Sequence, residues 1–349
     1  MIELRAPGAG LTRLPEDPAD HPGLRLIDVA WNDLAELPPS IGKLAALEEL
    51  RLDGNRFACL PAELGDLPAL RALHADGNEL SDVPSCPPGL EVLFLYGNAI
   101  TTAPARLGGL QRLRHLSLGG NRLTTVPGEL WRLPSLESLN LAQNQLTDLP
   151  ADIRGLRSLR MLDVAHNLLG SLPEELGRLG LTDYLYVGDN RLTELPASLG
   201  GLDRLAYLNV SDNRLTALPA TIGGMAALRE LRADGNRLTA LPASLGGLRR
   251  LVELHVRGNR LTSLPAELAG LGALRELNLR DNLLAELPGW VSRLSRLRHL
   301  DLRNNRLRAL PESLAELPEL ERLDLRWNKL DDSRALVEAL RGRGVAVLD

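Results

Sequence analysis

The sequence predicts an α/β solenoid, in which a concave parallel β-sheet of about 14–15 strands is backed by a convex side of short helices and turns. Two observations predict it: an asparagine that recurs at a fixed interval, and one leucine-rich template around each copy. A third is composition, since 44% of the 349 residues are apolar but only 3% are aromatic. The core must therefore be built mainly from leucine.

Asparagines mark the period of the repeat. Successive copies are 23 residues apart, except that Asn78 and Asn98 are 20 apart. The fourteen asparagines are Asn32, Asn55, Asn78, Asn98, Asn121, Asn144, Asn167, Asn190, Asn213, Asn236, Asn259, Asn282, Asn305 and Asn328. Because one such unit cannot bury its apolar face alone, fourteen stacked units are expected.

The template around each asparagine is L-x-x-L-x-L-x-x-N-x-L-x-x-L-P, and residues 47–55 are a clear copy. Strand alternation puts the leucines of L-x-L on the core side. The residues six, four and two positions before the asparagine then lie on the concave side. The asparagine amide can both donate and accept, so a ladder of amides between adjacent turns is expected. Proline after leucine, as at Pro196, lacks an N–H and takes the chain out of the sheet.

The two ends depart from the template. Ala9 stands where an asparagine is expected, and residues 331–341 predict a helix that glycines terminate. Trp31 and Trp327, beside the first and last asparagines, are expected to fill packing gaps. The predicted division is a degenerate N-terminal cap repeat (1–23), a solenoid of fourteen repeats (24–330) and a C-terminal cap (331–349).

The 23-residue template with its Leu-Pro pair resembles the leucine-rich-repeat family, in particular the Ras-group intracellular scaffolds and related plant proteins. The short copy, Pro84 to Asn98, looks more like the 20-residue units of secreted bacterial effectors of this family. Its Pro87-Pro88 pair predicts an extended outer segment, because proline cannot continue a helix. Those effectors often carry a ubiquitin-ligase domain, for which no residues remain outside the predicted solenoid. The resemblance implies protein binding through the concave face, in some members to small GTPases or phosphatases.

The net charge and the cysteine content indicate where the protein is located and which classes of partner are not expected. A net charge of −5 argues against a nucleic-acid partner. Cys59 and Cys86 have no paired spacing, and the start of the chain lacks the features of a secretion signal. No apolar run reaches the roughly 18 residues that a membrane helix needs. The expectation is a cytoplasmic monomer without a membrane partner.

Aromatic residues and histidines concentrate in the concave columns, which include all four tyrosines and four of the six histidines. Exposed aromatic side chains are typical of binding surfaces, although strand propensity alone would also favour them here. The predicted partner-binding residues are Phe94, Tyr96, His115, Asp163, Tyr184, Tyr186, Tyr207, Asn209, Arg232, His255, Arg257, Arg280 and Arg303.

Arginines follow one another in the column two positions before the asparagine, as at Arg257, Arg280 and Arg303. Arginines in register about 5 Å apart repel one another, and an acidic partner would relieve that repulsion. The alternative is a solvated ladder neutralised by neighbouring glutamates. The sequence alone does not decide between the acidic partner and the neutralised ladder.

The function predicted from these features is a non-catalytic, protein-binding scaffold whose partner has an acidic and apolar surface, such as a small GTPase. No cofactor, metal or catalytic motif is found. One alternative is an enzyme built on a polar row of Asp163, Tyr186, Asn209, Arg232 and His255. Another is a receptor whose small or polymeric ligand lies in a trench of Gly119, Ala142, Ala165, Gly188 and Ser211.

Overall fold

The computed structural model describes residues 2–331 and 333–349, which form two compact units, divided between Leu168 and Leu169. Both units repeat one theme, a three-residue strand followed in most repeats by a short 3-10 helix. The described residues hold sixteen strands, against the 14–15 predicted. The additional strand, Ala346–Leu348, lies in the segment predicted as the C-terminal cap.

In the first unit eight strands pair in parallel, in chain order. They are β1 (Glu3–Arg5), β2 (Leu26–Asp28), β3 (Glu49–Arg51), β4 (Ala72–His74), β5 (Val92–Phe94), β6 (His115–Ser117), β7 (Ser138–Asn140) and β8 (Met161–Asp163). The 3-10 helices are Pro18–Asp20, Pro39–Lys43, Ala62–Asp66, Ala105–Gly109, Leu130–Arg132 and Ala151–Gly155. The described residues between β4 and β5 form no helix, which confirms the extended segment predicted at Pro87-Pro88.

In the second unit eight further strands pair in the same way. They are β9 (Tyr184–Tyr186), β10 (Tyr207–Asn209), β11 (Glu230–Arg232), β12 (Glu253–His255), β13 (Glu276–Asn278), β14 (His299–Asp301), β15 (Arg322–Asp324) and β16 (Ala346–Leu348). The 3-10 helices are Glu174–Arg178, Ala197–Gly201, Ile222–Gly224, Ala243–Gly247, Ala266–Gly270, Gly289–Arg293 and Glu312–Glu316. One α-helix, α1 (Arg334–Gly342), precedes β16. No helix among the described residues is long and apolar enough to cross a membrane.

The strands alternate as predicted. In each of the strands β3–β15 the central residue is a buried leucine. Most of the residues that flank these leucines within the strands are only partly buried. Leu231, for example, is fully buried between the half-buried Glu230 and Arg232. The side chains six and four positions before each asparagine therefore lie on the side of the sheet away from the leucine core, which we call the open face.

The predicted asparagine ladder is present. The Asn236 amide nitrogen donates to the carbonyl oxygens of Ala233 (3.2 Å) and Asp234 (3.0 Å) in its own turn. It also donates to Val210 of the preceding repeat (3.0 Å), and its oxygen accepts from the backbone N–H of Leu215 there (3.0 Å). Each asparagine thus satisfies buried backbone groups that no strand partner reaches.

The residue before each ladder asparagine adopts a left-handed conformation, as at Gly235 (φ 61°). Glycine, aspartate and asparagine suit this position, but Trp31 and Trp327 also adopt it, with φ of 59° and 63°. These two residues are 71% and 65% exposed. The expectation that these tryptophans fill packing gaps is therefore wrong, because the turn directs them outward.

Replacing Asn236 by alanine should destabilise the protein by about 1–3 kcal/mol, because the change leaves the Leu215 N–H without its acceptor and removes one of the two amide hydrogen bonds that the Val210 carbonyl accepts. Urea unfolding measures this change. The control is Asn209→Ala on the open face, where the side chain accepts only a local bond from Ser211 among the bonds described. Equal stability of the two variants would contradict a structural role for the ladder.

Candidate functional site

On the open face of the first unit, His74 and Phe94 meet edge to face with ring centroids 5.1 Å apart. Register places them side by side on β4 and β5. Tyr96 follows and is 36% exposed. Burial lowers the pKa of His74, so this part of the face favours the neutral imidazole.

The Tyr96 ring lies across two glycines. A Cβ on Gly119 would come within 2.8 Å of the ring, and one on Gly120 within 3.3 Å. The Tyr96 hydroxyl donates to the Gln143 side-chain oxygen at 2.7 Å, which ties the ring down. The trench predicted as a ligand seat is therefore filled at its Gly119 end by a side chain of the protein itself.

A row of aspartates holds the backbone of the next repeat in this unit. Asp53 accepts from the N–H of Asp76 (2.9 Å), and Asp76 accepts from the N–H of Tyr96 (2.6 Å). Burial raises the pKa of Asp76 to about 6, although the hydrogen bond from Tyr96 opposes the shift. Asp76 is thus an acid whose ionised form is penalised by its surroundings.

On the open face of the second unit, three tyrosines contact one another. Tyr184 and Tyr186 stack with centroids 4.4 Å apart, and Tyr186 meets Tyr207 at 5.1 Å and 67°. β9 and β10 place Tyr184 opposite Tyr207. Burial raises the pKa of Tyr207 to about 12, so its hydroxyl remains protonated at neutral pH. We call Tyr184, Tyr186 and Tyr207 the tyrosine cluster.

Next to it, β11 to β13 bring charged groups together. Arg232 donates to Glu230 at 2.6 Å, and His255 lies 3.1 Å from Glu253 and 4.0 Å from Glu276. His255 is buried, at the same level as the ladder asparagines. Ligand atoms of Glu230, Glu253 and His255 lie within 4.8 Å of one another, a set that could hold a metal ion and that sequence spacing did not reveal. The two carboxylates already have partners within the protein: Arg232 pairs with Glu230, and the His255 imidazole lies beside Glu253.

The arginines toward the C-terminus are paired within the protein. Arg257 donates to Asp281 at 3.1 Å, and Arg280 lies 3.1 Å from the same carboxylate. The Arg303 guanidinium donates to both carboxylate oxygens of Asp301, and its Nε lies 3.3 Å from a carboxylate oxygen of Asp324. The premise that this arginine row needs an external acid to relieve repulsion is therefore wrong.

Asp324 is the most enclosed of these carboxylates, with a side chain 2% exposed. Burial acts against its ionisation, but hydrogen bonds from Arg326 and the charge of Arg303 outweigh burial and lower its pKa. A cavity of about 260 Å³ lies over the three strands β13, β14 and β15. It is lined by Glu276, Leu277, Asn278, His299, Leu300, Asp301, Arg303, Arg322 and Asp324.

The predicted binding residues are divided between the two units. Phe94, Tyr96, His115 and Asp163 belong to the first, and the remaining nine to the second. Asp163 accepts from the N–H of Ala165 at 3.0 Å, and burial raises its pKa. Within the second unit the structure brings together the tyrosines, the Arg232–His255 group and the arginine row.

Comparison with known proteins assigns the family. A family model described as leucine rich repeat matches residues 111–169, 181–238 and 287–330. A solved leucine-rich-repeat protein of Leptospira interrogans is 31% identical with a TM-score of 0.89, over 99% of this chain and 94% of that one. The chain belongs to the leucine-rich-repeat family.

Two other solved leucine-rich-repeat structures are similar. An internalin from Listeria monocytogenes is 25% identical, with a TM-score of 0.73 over 92% of this chain and 85% of that one. The ectodomain of the Arabidopsis thaliana receptor kinase GASSHO1, in complex with Casparian strip integrity factor 2, is 27% identical, with a TM-score of 0.52. That match covers 96% of this chain and 51% of the ectodomain. No curated protein sequence matches the chain significantly.

Replacing Asp76 by asparagine should change how stability depends on pH. The folded pKa of about 6 is above the ordinary value, so the folded state binds more protons and the protein loses stability as pH rises from about 4 to 6. Asp76→Asn removes that loss and keeps an acceptor for the Tyr96 N–H. The variant should be more stable at pH 7 by on the order of 1 kcal/mol, after allowance for solvent screening.

Thermal unfolding at pH 4, 5, 6 and 7 measures the effect. Asp82→Asn, at an exposed aspartate, is the matched control and should follow the wild-type profile. Parallel profiles for Asp76→Asn and the wild type would show that the Asp76 carboxyl is not penalised.

Proposed function

We propose that this leucine-rich-repeat protein is a non-catalytic scaffold that binds a protein partner on the open face of its second unit. The observation that carries the proposal is the tyrosine cluster. Tyr184, Tyr186 and Tyr207 contact one another on the side of the sheet that leucine does not fill. Aromatic side chains in such a position are the usual anchors of protein interfaces, because they bury large area at little conformational cost.

The partner is best matched by an extended segment with apolar side chains, which the ring faces of the cluster would cover. The acidic character predicted for it depends on Arg257, whose side chain is 51% exposed beside its partner Asp281. Arg280 and Arg303 are more enclosed and are already paired with aspartates, so they contribute little unpaired positive charge to the surface. We therefore expect the apolar contacts to dominate the affinity.

A similar protein supports a peptide or protein ligand. The Arabidopsis ectodomain was solved in complex with Casparian strip integrity factor 2, and by analogy we propose a ligand of that kind for this chain. A signalling protein such as a small GTPase is the partner class that we favour, on the resemblance of the 23-residue template to Ras-group scaffolds. We also propose a cytoplasmic monomer, in line with the two free cysteines, Cys59 and Cys86.

The alternatives are less well supported. An enzyme using the polar row would rely on His255, but its ring is buried between Glu253 and Glu276 and has little room to meet a substrate. A receptor seated in the trench would have to displace Tyr96 from Gly119. We infer that the open face binds and does not catalyse.

Replacing both Tyr184 and Tyr186 by alanine should weaken partner binding at least tenfold, the loss expected for an aromatic anchor. The melting temperature should fall by only a few degrees, since neither side chain belongs to the leucine core. The measurement is quantitative affinity capture from the native cell, followed by titration of the captured protein against purified variants.

Trp290→Ala is the matched control, because this aromatic residue lies on the 3-10 helix Gly289–Arg293 and away from the open face. It should retain the same partner. Capture of the same proteins by the tyrosine variant and the wild type would contradict the proposed site.

A further inference from the structure

A separate charge pattern lies at the edge of the sheet, outside the open face. The residue seven positions before each asparagine precedes the strand. In chain order these residues are Arg25, Glu48, Arg71, Glu91, Arg114, Glu137, Arg160, Asp183, Ala206, Arg229, Val252, Arg275, Arg298 and Glu321. Basic and acidic residues alternate through the first eight, and we call this series the edge column.

Neighbours in the edge column form ion pairs. Arg25 lies 3.2 Å from Glu48, and Arg114 lies 2.7 Å from Glu137. Near the other end, Arg298 is held by Glu321 (3.2 Å). In these three pairs an arginine is neutralised by an acid from the next repeat.

The alternation ends after Asp183. Arg229 and Arg275 occupy the next two positions at which it would place an acid, and the residues before them in the column are Ala206 and Val252. Arg229 lies between these two residues in the column, and Arg275 follows Val252. The next arginine, Arg298, already has its own acids. Arg229 and Arg275 are thus left without the counter-charge that the column supplies elsewhere.

Three further arginines surround this gap. Together with Arg229 and Arg275, they line a groove of about 420 Å³ whose other walls are small or apolar. Its lining is Ala227, Arg229, Arg249, Arg250, Val252, Ala273, Arg275 and Arg296, and it includes no acid. Within residues 2–331 and 333–349, no ion pair or side-chain hydrogen bond is found for these five arginines. We call this feature the arginine groove.

The nearest glutamates in sequence are engaged on the open face. Glu230 accepts from Arg232 at 2.6 Å, and Glu253 lies 3.1 Å from His255. They are directed away from the edge by the strand alternation, so they do not neutralise the groove. A concentration of uncompensated guanidinium groups raises the local positive potential and favours an anion there.

We propose that the arginine groove binds a small anion that carries two or more phosphate groups. Guanidinium groups match phosphate oxygens in pairs of parallel hydrogen bonds. The backbones at Arg229 and Arg275 are two strands apart, about 10 Å at the strand spacing, so a short chain of phosphates can offer a separate phosphate group to each guanidinium. The volume of the groove suits a small ligand. This proposal does not depend on the partner-binding role of the tyrosine cluster.

The test places an acid within the groove. Val252→Glu should place a carboxylate between Arg229 and Arg275, as Glu137 stands beside Arg114. Val252→Gln is the matched control of equal size without charge. Isothermal titration with inorganic triphosphate in low salt should show binding to the wild type and to Val252→Gln. Binding to Val252→Glu should be about tenfold weaker or more, the factor for one lost charge-assisted hydrogen bond.

Two further measurements complete the test. Arg229→Ala with Arg275→Ala should also weaken triphosphate binding at least about tenfold, whereas Arg114→Ala, which removes an arginine already paired, should not. Orthophosphate should bind more weakly than triphosphate. The proposal is overturned if triphosphate does not bind the folded wild type, or if Val252→Glu and Val252→Gln bind it equally.

Discussion

The hydrogen bonds of the ladder asparagine are the constraint on which the rest of the structure depends. One amide bonds its own turn and the preceding repeat, as Asn236 does with Asp234 and Val210, and so fixes the distance between turns. The left-handed residue before the asparagine turns the chain out of the strand. Each strand is therefore short, and its side chains always alternate in the same way. Leucine faces the core, and variable residues lie on the open face.

Much of the fold follows from the sequence because its determinants are local and repeated. The period, the buried central leucines, the ladder and the extended segment at Pro87-Pro88 were all predictable from residue type and spacing. The outward direction of Trp31 and Trp327 was not, since the left-handed turn is a backbone property that the tryptophans themselves do not signal.

The site was only partly predictable, because its chemistry depends on pairing between repeats. Columns of residues identified Tyr184 and Tyr186, whose stacking follows from their place on one strand face. The same columns suggested an arginine row in need of an acid, whereas Asp301 and Asp324 supply that acid from within. Side-chain length and rotamer decide such pairs, and neither is visible in a periodic pattern. For the same reason the set of potential metal ligands formed by Glu230, Glu253 and His255 is visible only in the structure.

All functional statements rest on the alternation of side chains between core and open face, and cysteine accessibility tests it directly. In a background with Cys59→Ser and Cys86→Ser, which removes both free cysteines, single cysteines at positions 230, 231 and 232 are exposed to a thiol reagent under native conditions. The account predicts rapid labelling at 230 and 232 and protection at 231, where Leu231 is fully buried. Comparable labelling at all three positions, or protection at 230 and 232 with labelling at 231, would contradict it.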